Sequence, residues 1–323
     1  MQAVRVHGYG GSDALAVEDV DAPSPGPGQV LAEVAAAGVN YMDVYQREGV
    51  YRVDAPFTLG VEGAGRVVAV GDGVRNVSVG DRVAWKNAQG SYAEQVVVAE
   101  PEVVPLPAGV SEDVAAAAML QGITAHYLST STYPVQSGDT VLVHAGAGGV
   151  GLLLTQIVTL RGGRVLATVS TAEKEQRARA AGADEVIRYD ATDVPAAVRE
   201  MTGGEGAAVV YDGVGRATFE GSLASLRPRG MLVLFGAASG PVPPFDLQRL
   251  NPAGSLFVTR PSIGHYTRDR AELTGRTDEL FGWIGSGQLT VHVGGRYPLA
   301  EARRAHDDLE GRRTTGKLLL LPG

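Results

Sequence analysis

The octapeptide His144-Ala-Gly-Ala-Gly-Gly-Val-Gly151 constrains this chain more than any other stretch of it. Gly146, Gly148 and Gly151 fit the spacing G-x-G-x-x-G. The motif follows an apolar run that reads as a strand (Thr140–Ala145) and opens one that reads as a helix (from Leu152). In that setting each glycine has a geometric task. The first permits a sharp turn, the second lets backbone N–H groups reach a diphosphate with no Cβ in the way, and the third lets helix and strand pack closely. Free N–H groups and the dipole at the helix N-terminus then attract the anion. Gly146, Gly148, Gly149 and Val150 are the candidate cradle. A glycine-rich turn without a ligand is the plainer reading, and the strand–helix rhythm downstream of the motif argues against it.

From Thr140 onward the chain alternates between strand and helix. Strands are expected at Thr140–Ala145, Arg164–Val169, Glu185–Ile187, Ala208–Asp212, Met231–Phe235 and Ser255–Val258. Helices are expected at Leu152–Leu160, Ala172–Ala181, Val194–Met201 and Thr218–Leu226. The strands are nearly all apolar, as strands must be when both faces of a sheet are covered. The pattern predicts an α/β fold with a doubly wound, parallel, six-stranded sheet. The first hundred residues read differently. Val30–Val34, Gly65–Val70, Asp81–Trp85 and Tyr92–Val98 are short valine-rich strands bounded by turn residues, which predicts a β-rich, barrel-like domain. The alanine-rich run Ser111–Leu128 is expected to be a helix, with Ser111 as its cap. Further helices are expected near Asp269–Ser286 and Leu299–Leu309, with strands at Thr290–Tyr297 and Lys317–Leu321. The tail is expected to return to the first domain. The expected organisation is residues 1–122 with 267–323 as one domain and 123–266 as the dinucleotide-binding one.

Composition removes several chemistries. Cysteine is absent, which excludes disulfides, a cysteine nucleophile, an iron–sulfur cluster and cysteine-ligated zinc. The six histidines show no H-x-x-H or HExxH spacing, so no metal site is expected, and there is no G-x-S-x-G nucleophile motif. A formal charge of −8 argues against a protein that coats nucleic acid. No targeting segment or membrane span is read, which makes the cytoplasm the expected location.

Cofactor choice is read at the end of the second inner strand. An NAD enzyme usually places Asp or Glu there to bond the ribose 2′-OH. Here the strand ends Ala167-Thr-Val-Ser-Thr171, with no carboxylate. Small hydroxyls leave room for a 2′-phosphate, and Lys174, one of three lysines, follows within a helical turn as a point charge. NADPH is favoured over NADH, although Glu173 works against it. Ser170 and Glu173 also fit a capping box, S-x-x-E. Separately, Tyr41, Tyr45 and Tyr51 fall within eleven residues. Their ring faces can stack on a planar acceptor and their hydroxyls can donate to a carbonyl; packing of amphipathic aromatics on a helix is the alternative.

Seven segments in order carry a family resemblance: Ala36-Ala-Gly-Val-Asn-Tyr-Met-Asp43, Leu59-Gly-Val-Glu-Gly-Ala-Gly65, Gly80-Asp-Arg-Val83, Ala145–Gly151, Val210-Tyr-Asp-Gly-Val-Gly215, Val258-Thr-Arg-Pro-Ser262 and Gly316–Leu320. The chain resembles, nearly end to end, the zinc-independent quinone oxidoreductases of the medium-chain dehydrogenase/reductase superfamily, the zeta-crystallin-like group. The resemblance implies a GroES-like catalytic domain plus a Rossmann domain, NADPH held between them, and a homodimer paired through the edge strand near Ser255–Val258. By the same resemblance Asn40, Tyr45 and Tyr51 line the quinone and nicotinamide pocket. Thr124 and Tyr127 lie near the nicotinamide ribose. Ser170, Thr171, Lys174 and Tyr189 hold the adenosine phosphate. Phe235, Ser239, Arg260 and Lys317 are further cofactor contacts. Zinc-dependent relatives carry G-H-E where this chain reads Gly60-Val61-Glu62, so the histidine ligand is missing. Zinc stabilises a developing alkoxide; a quinone yields a delocalised anion and needs less electrophilic help. The implied function is direct hydride transfer from NADPH to a quinone. Reduction of an activated C=C bond, in an enal, enone or enoyl thioester, is the alternative within the superfamily, and a low-turnover NADPH-binding protein is the alternative outside it.

Overall fold

Strand pairing in the first part of the chain centres on one long segment. The computed structural model describes residues 1–323 and divides into two units, Met1–Gln121 with Asp269–Gly323, and Gly122–Arg268. The first unit contains β1 (Gln2–Val6), β2 (Leu15–Asp19), β3 (Gln29–Val39), β4 (Phe57–Thr58), β5 (Gly63–Val70), β6 (Arg82–Trp85), β7 (Gln95–Ala99), β8 (Val104–Pro105), β15 (Val293–Pro298) and β16 (Lys317–Leu321). Its helices are α1 (Tyr41–Arg47), the greater part of α2 (Glu112–Tyr127), α7 (Arg270–Gly285) and α8 (Ala302–Glu310).

β3 pairs antiparallel with three strands: β5 along most of its length, β7 through Gln29–Glu33, and β16 through Ala37–Val39. The strand expected at Val30–Val34 therefore continues to Val39, because partners from two other parts of the sequence satisfy its later backbone groups. One sheet runs β15-β16-β3-β5-β6-β8 with β7 on β3, and a small one runs β2-β1-β4. Neither β1 nor β2 is among the strands expected from the sequence. The alternating valines of β3, β5, β6 and β7 fill a core around Leu59, Trp85 and Tyr92, all fully buried.

The second unit is a six-stranded sheet in the order β11-β10-β9-β12-β13-β14. Its strands are β9 (Thr140–Val143), β10 (Arg164–Val169), β11 (Glu185–Arg188), β12 (Ala207–Asp212), β13 (Leu226–Leu234) and β14 (Phe257–Thr259). Every pairing is parallel, as the apolar strand–helix alternation predicts. The crossovers are α3 (Gly149–Leu160), α4 (Ala172–Ala180), α5 (Val194–Met201) and α6 (Phe219–Ala224). Counted from β9, the order is that of a Rossmann fold, in which ligands bind beyond the carboxyl ends of the strands where the order reverses. β14 is an edge, paired on one side with β13, and it leaves Phe257 and Val258 exposed. No helix in the structure is long and apolar enough to cross a membrane.

Much of α3, from Gly151 to Val158, is buried, and its Thr155 hydroxyl is buried without a hydrogen-bond partner. An unsatisfied buried hydroxyl costs about 1–3 kcal/mol relative to an apolar group of the same shape. Thr155→Val is accordingly expected to raise the melting temperature. A fall in thermal unfolding experiments would show that this hydroxyl is satisfied.

Candidate cofactor and acceptor sites

The glycine turn is shaped by steric exclusion at three points. An added Cβ on Gly146 would lie 2.7 Å from Cβ of Ala167, so the first glycine lets the turn press against β10. On Gly151 it would overlap the Ala145 carbonyl and crowd the Gly146 backbone, so the third glycine seats α3 against the turn. At Gly148, the residue before α3, it would meet only the Ala145 carbonyl oxygen, at 3.2 Å. The space beside Gly148 is otherwise open, which is what a cradle for a diphosphate requires. The sharp turn itself is made elsewhere than expected. Ala145, not Gly146, takes the left-handed conformation, at φ 52°. β9 ends at Val143, two positions earlier than the sequence pattern suggests.

The adenosine-side residues follow β10. Thr171, not Ser170, caps α4: its Oγ1 accepts from the Lys174 backbone N–H at 3.2 Å. The expected S-x-x-E box is therefore not formed: the cap stands one residue later, the third residue after it is Lys174 rather than a carboxylate, and the Ser170 hydroxyl is not used as the cap. Lys174 stands in the first turn of α4, and Tyr189, just after β11, is exposed. Thr124 and Tyr127 are buried on α2, and the Tyr127 ring stacks on Tyr266 at 4.4 Å, tilted by 8°. Phe235 packs under Gly213, where an added Cβ would come within 2.9 Å of its ring. The Ser239 hydroxyl donates to the Val214 carbonyl and accepts from the Ala217 N–H. The Arg260 guanidinium donates to the carbonyls of Leu234 and Gly236. The last three residues thus shape the loops at the carboxyl ends of β12 and β13.

In the first unit the structure places Asn40 and Lys317 together in a buried cluster with Glu62. Glu62 Oε2 accepts from Asn40 Nδ2 at 2.7 Å and from Lys317 Nζ, while Oε1 accepts from the Leu120 N–H of α2 at 2.6 Å. The other bonds of the Asn40 amide run to the Gly38 carbonyl, from Lys317 Nζ and from Gln121 Nε2. Two donors and two acceptor positions are all that an asparagine amide has, and protein fills all four. Asn40 and Lys317 are 3% and 1% exposed. Lys317 is thus committed to Glu62 and Asn40, whereas the family resemblance sets it against the cofactor. Burial pulls its ammonium below the usual lysine value, and the Glu62 carboxylate opposes that pull.

The cluster continues into α1. The Asn40 N–H donates to Asp43 Oδ2 at 2.7 Å, as does the Tyr92 hydroxyl at 2.8 Å. The other carboxyl oxygen of Asp43 is buried with no partner. Tyr92 lies 3.4 Å from His306 Nε2, whose Nδ1 faces the Arg47 guanidinium, and Arg47 binds both oxygens of Glu310. α1 is thereby fixed at both ends. It carries Tyr41 and Tyr45; Tyr45 meets Tyr51 edge to face at 5.3 Å, with Tyr51 exposed.

Comparisons with known proteins identify the family. Residues 26–108 match the alcohol dehydrogenase GroES-like domain, and residues 149–274 match the zinc-binding dehydrogenase family. A quinone oxidoreductase of Pseudomonas aeruginosa is 45% identical over 321 residues, 99% of either chain. The chain belongs to the quinone oxidoreductase family of medium-chain dehydrogenases/reductases. A 2-haloacrylate reductase of a Burkholderia species is 39% identical, across 100% of this chain and 99% of that protein. Among solved structures, a mycobacterial protein complexed with NADPH superposes with a TM-score of 0.97 at 53% identity, and the Escherichia coli quinone oxidoreductase complexed with NADPH with 0.98 at 41%. Each comparison covers 100% of both chains. Although one matched family is described as zinc-binding, no three or more His, Asp or Glu side chains converge here, and Glu62 holds a lysine.

Two sets of residues are missed by sequence reasoning. Glu62 stands out there only as the neighbour of a missing histidine; the available signal is a carboxylate inside the apolar run 59–64. Asp212 and Ser222 stand among buried apolar residues of β12 and α6 and carry the same signal.

Two measurements bear on these assignments. Gly148→Ala is expected to weaken dinucleotide binding with little change in melting temperature, whereas Gly151→Ala is expected to lower the melting temperature by several degrees; calorimetry on both variants measures the contrast. The second concerns pH. Burial pushes Asp43 up to about 7, against the bonds from Tyr92 and Asn40. Its folded value exceeds its unfolded one, so its contribution to stability is present below about 4 and lost as pH rises through about 7. Burial, reinforced by Arg47, holds His306 down to about 3, so its contribution is present above about 6.5 and lost as pH falls through about 3. The two oppose each other between about pH 4 and 6.5. Asp43→Asn removes the first, so stability against pH is expected to rise more steeply in that window, by up to ~1.4 kcal/mol per pH unit. An unchanged slope in denaturant titrations would contradict the assignment.

Proposed function

We propose that this protein reduces quinones with NADPH by direct hydride transfer, without a metal. The observation that carries this reading is the 45% identity, over 99% of both chains, to a protein named quinone oxidoreductase. Bound NADPH supplies the hydride, and with one proton from water the quinone becomes a hydroquinone. The protein's share is to bind, orient and exclude water. The backbone at Gly146, Gly148, Gly149 and Val150 receives the diphosphate on the N-terminus of α3. Ser170, Thr171, Lys174 and Tyr189 receive the 2′-phosphate, with Lys174 as its charge partner. Thr124, Tyr127, Phe235, Ser239 and Arg260 shape the remainder of the cofactor site. Tyr45 and Tyr51 offer ring faces and hydroxyls to a planar acceptor. Asn40, with its amide filled, and Lys317 keep α1 and its tyrosines in place.

We also infer a homodimer formed by pairing β14 with its counterpart. The exposed Phe257 and Val258 on an open edge support it, since such edges are normally covered or blunted. A cosubstrate that metabolism must reduce again favours action in the cytoplasm.

Reduction of an activated C=C bond is the second reading, favoured by the 39% identity to a 2-haloacrylate reductase. Stopped-flow oxidation of NADPH against ortho- and para-quinones, enals and an enoyl thioester separates the two. Quinone turnover faster than C=C turnover is expected, and the reverse order would overturn the first reading. Lys174→Ala is expected to raise KM for NADPH about tenfold, the effect of one exposed charge pair to phosphate, and to leave that for NADH nearly unchanged. Equal changes in steady-state kinetics would refute the phosphate-pairing role.

A further inference from the structure

Behind the glycine turn lies a buried chain of polar side chains that the reaction does not use. His144, the last residue before the left-handed Ala145, donates its backbone N–H to the Tyr211 carbonyl of β12. Its Nδ1 is 3.0 Å from Thr168 Oγ1 on β10, and its Nε2 is 3.0 Å from Ser222 Oγ on α6. Ser222 donates to Asp212 Oδ2 at 2.7 Å, so the serine oxygen accepts from the histidine, and the ring carries its proton on Nε2. Nδ1 then accepts from Thr168. Asp212 Oδ2 also accepts from the Thr218 hydroxyl, and Oδ1 takes the backbone N–H groups of Val214 and Gly215. His144, Thr168, Asp212 and Ser222 are all buried, none of them more than 4% exposed, and every bond on the ring is made. Burial holds the imidazole below the usual histidine value, against the pull of Asp212, which keeps the ring neutral.

The chain joins three segments that matter to the dinucleotide. Thr168 both holds the His144 ring and, through its carbonyl, accepts the Gly146 N–H of the diphosphate turn at 2.9 Å. It stands two residues before Ser170, where the 2′-phosphate pocket begins. Asp212 fixes the loop at 213–215, onto which Ser239 is bonded through the Val214 carbonyl. The ends of β9, β10 and β12 are thus set at one separation by side chains and not by sheet hydrogen bonds alone.

We propose that His144 and Ser222 are positioning residues for NADPH, locking the diphosphate turn, the 2′-phosphate loop and the 213–215 loop into one binding geometry. This rests on the NADPH part of the function proposed above and is independent of the acceptor. Apolar packing would explain four buried polar groups poorly, because each needs a partner that an all-apolar set would not.

The test is the dissociation constant of NADPH, by calorimetry on the full-length protein. Ser222→Ala leaves the buried His144 N–H without its acceptor and is expected to raise that constant about tenfold, the effect of one buried hydrogen bond and its neighbours. The value of kcat at saturating NADPH is expected to stay within about twofold. Ser222→Thr restores the hydroxyl and is expected to recover most of the affinity; should its extra methyl prevent folding, His144→Gln, which keeps an N–H donor toward Ser222, serves in its place. A lower melting temperature with unchanged NADPH affinity in Ser222→Ala would assign the chain to stability alone and overturn the proposal. If the unsubstituted protein binds NADPH but reduces no quinone, the acceptor reading fails while this measurement still decides the role of Ser222. If it binds no NADPH, the cofactor reading fails and the role falls with it. In the ligand-free protein, imidazole nitrogen NMR is expected to show His144 neutral and protonated on Nε2; protonation on Nδ1 would overturn the network itself.

Discussion

The carboxylate of Glu62 is the point on which the first unit is hung. It is fully buried and receives an ammonium from β16, a side-chain amide from the start of α1 and a backbone N–H from α2. A charge so placed is tolerable only when paired and hydrogen-bonded on all sides. Every element contributing a partner is therefore held in a narrow range of positions. Gly38 shows how narrow: an added Cβ there would collide with Glu62, with the Ala116 carbonyl and with the Lys317 stem. The same frame passes through Asn40 to Asp43, Tyr92, His306 and Arg47, and it fixes the short helix that presents Tyr41 and Tyr45. A seven-residue helix has little stability of its own, so the orientation of those rings depends on the polar anchors at its two ends.

The second unit solves a different problem with different means. A diphosphate must be met by bare backbone, and bare backbone is soft. Close packing answers this at Gly146, where the turn presses on the Ala167 methyl of β10, and at Gly151, where α3 meets the backbone of the turn. Buried hydrogen bonds answer it from His144 through Asp212. The open space at Gly148 is left by contrast with its crowded neighbours.

Much of this is legible in the amino-acid order. The six parallel strands follow from apolar runs of strand length separated by helical ones, since a sheet covered on both faces admits little else. The glycine spacing locates the cradle because the geometry it serves leaves little tolerance. What stays hidden is non-local. The later part of β3 is a strand because β16 and β5 supply its partners, and nothing between Ala35 and Val39 announces them. Ser170 and Thr171 are both N-cap residue types, and the path of the chain beyond β10 places the cap on Thr171. Lys317 looks like a free cation in an apolar strand, and its commitment to Glu62 shows only once the sheet is assembled. Propensity assigns the left-handed turn position to a glycine, but an alanine holds it, at a cost of about 1–2 kcal/mol that surrounding contacts must offset.

The partners of the Glu62–Lys317 pair are separated by 255 positions, and the whole second unit intervenes. During synthesis the carboxylate, Asn40 and the groove beside Gly38 exist long before the ammonium that completes them. Until then this corner holds an uncompensated charge and stays wet and loose. The Rossmann unit, continuous in sequence, has no partner that must come from beyond it in this way. The distribution of charge thus sets one condition on assembly: the first part of the chain cannot reach its final packing before a late lysine arrives to pair with Glu62.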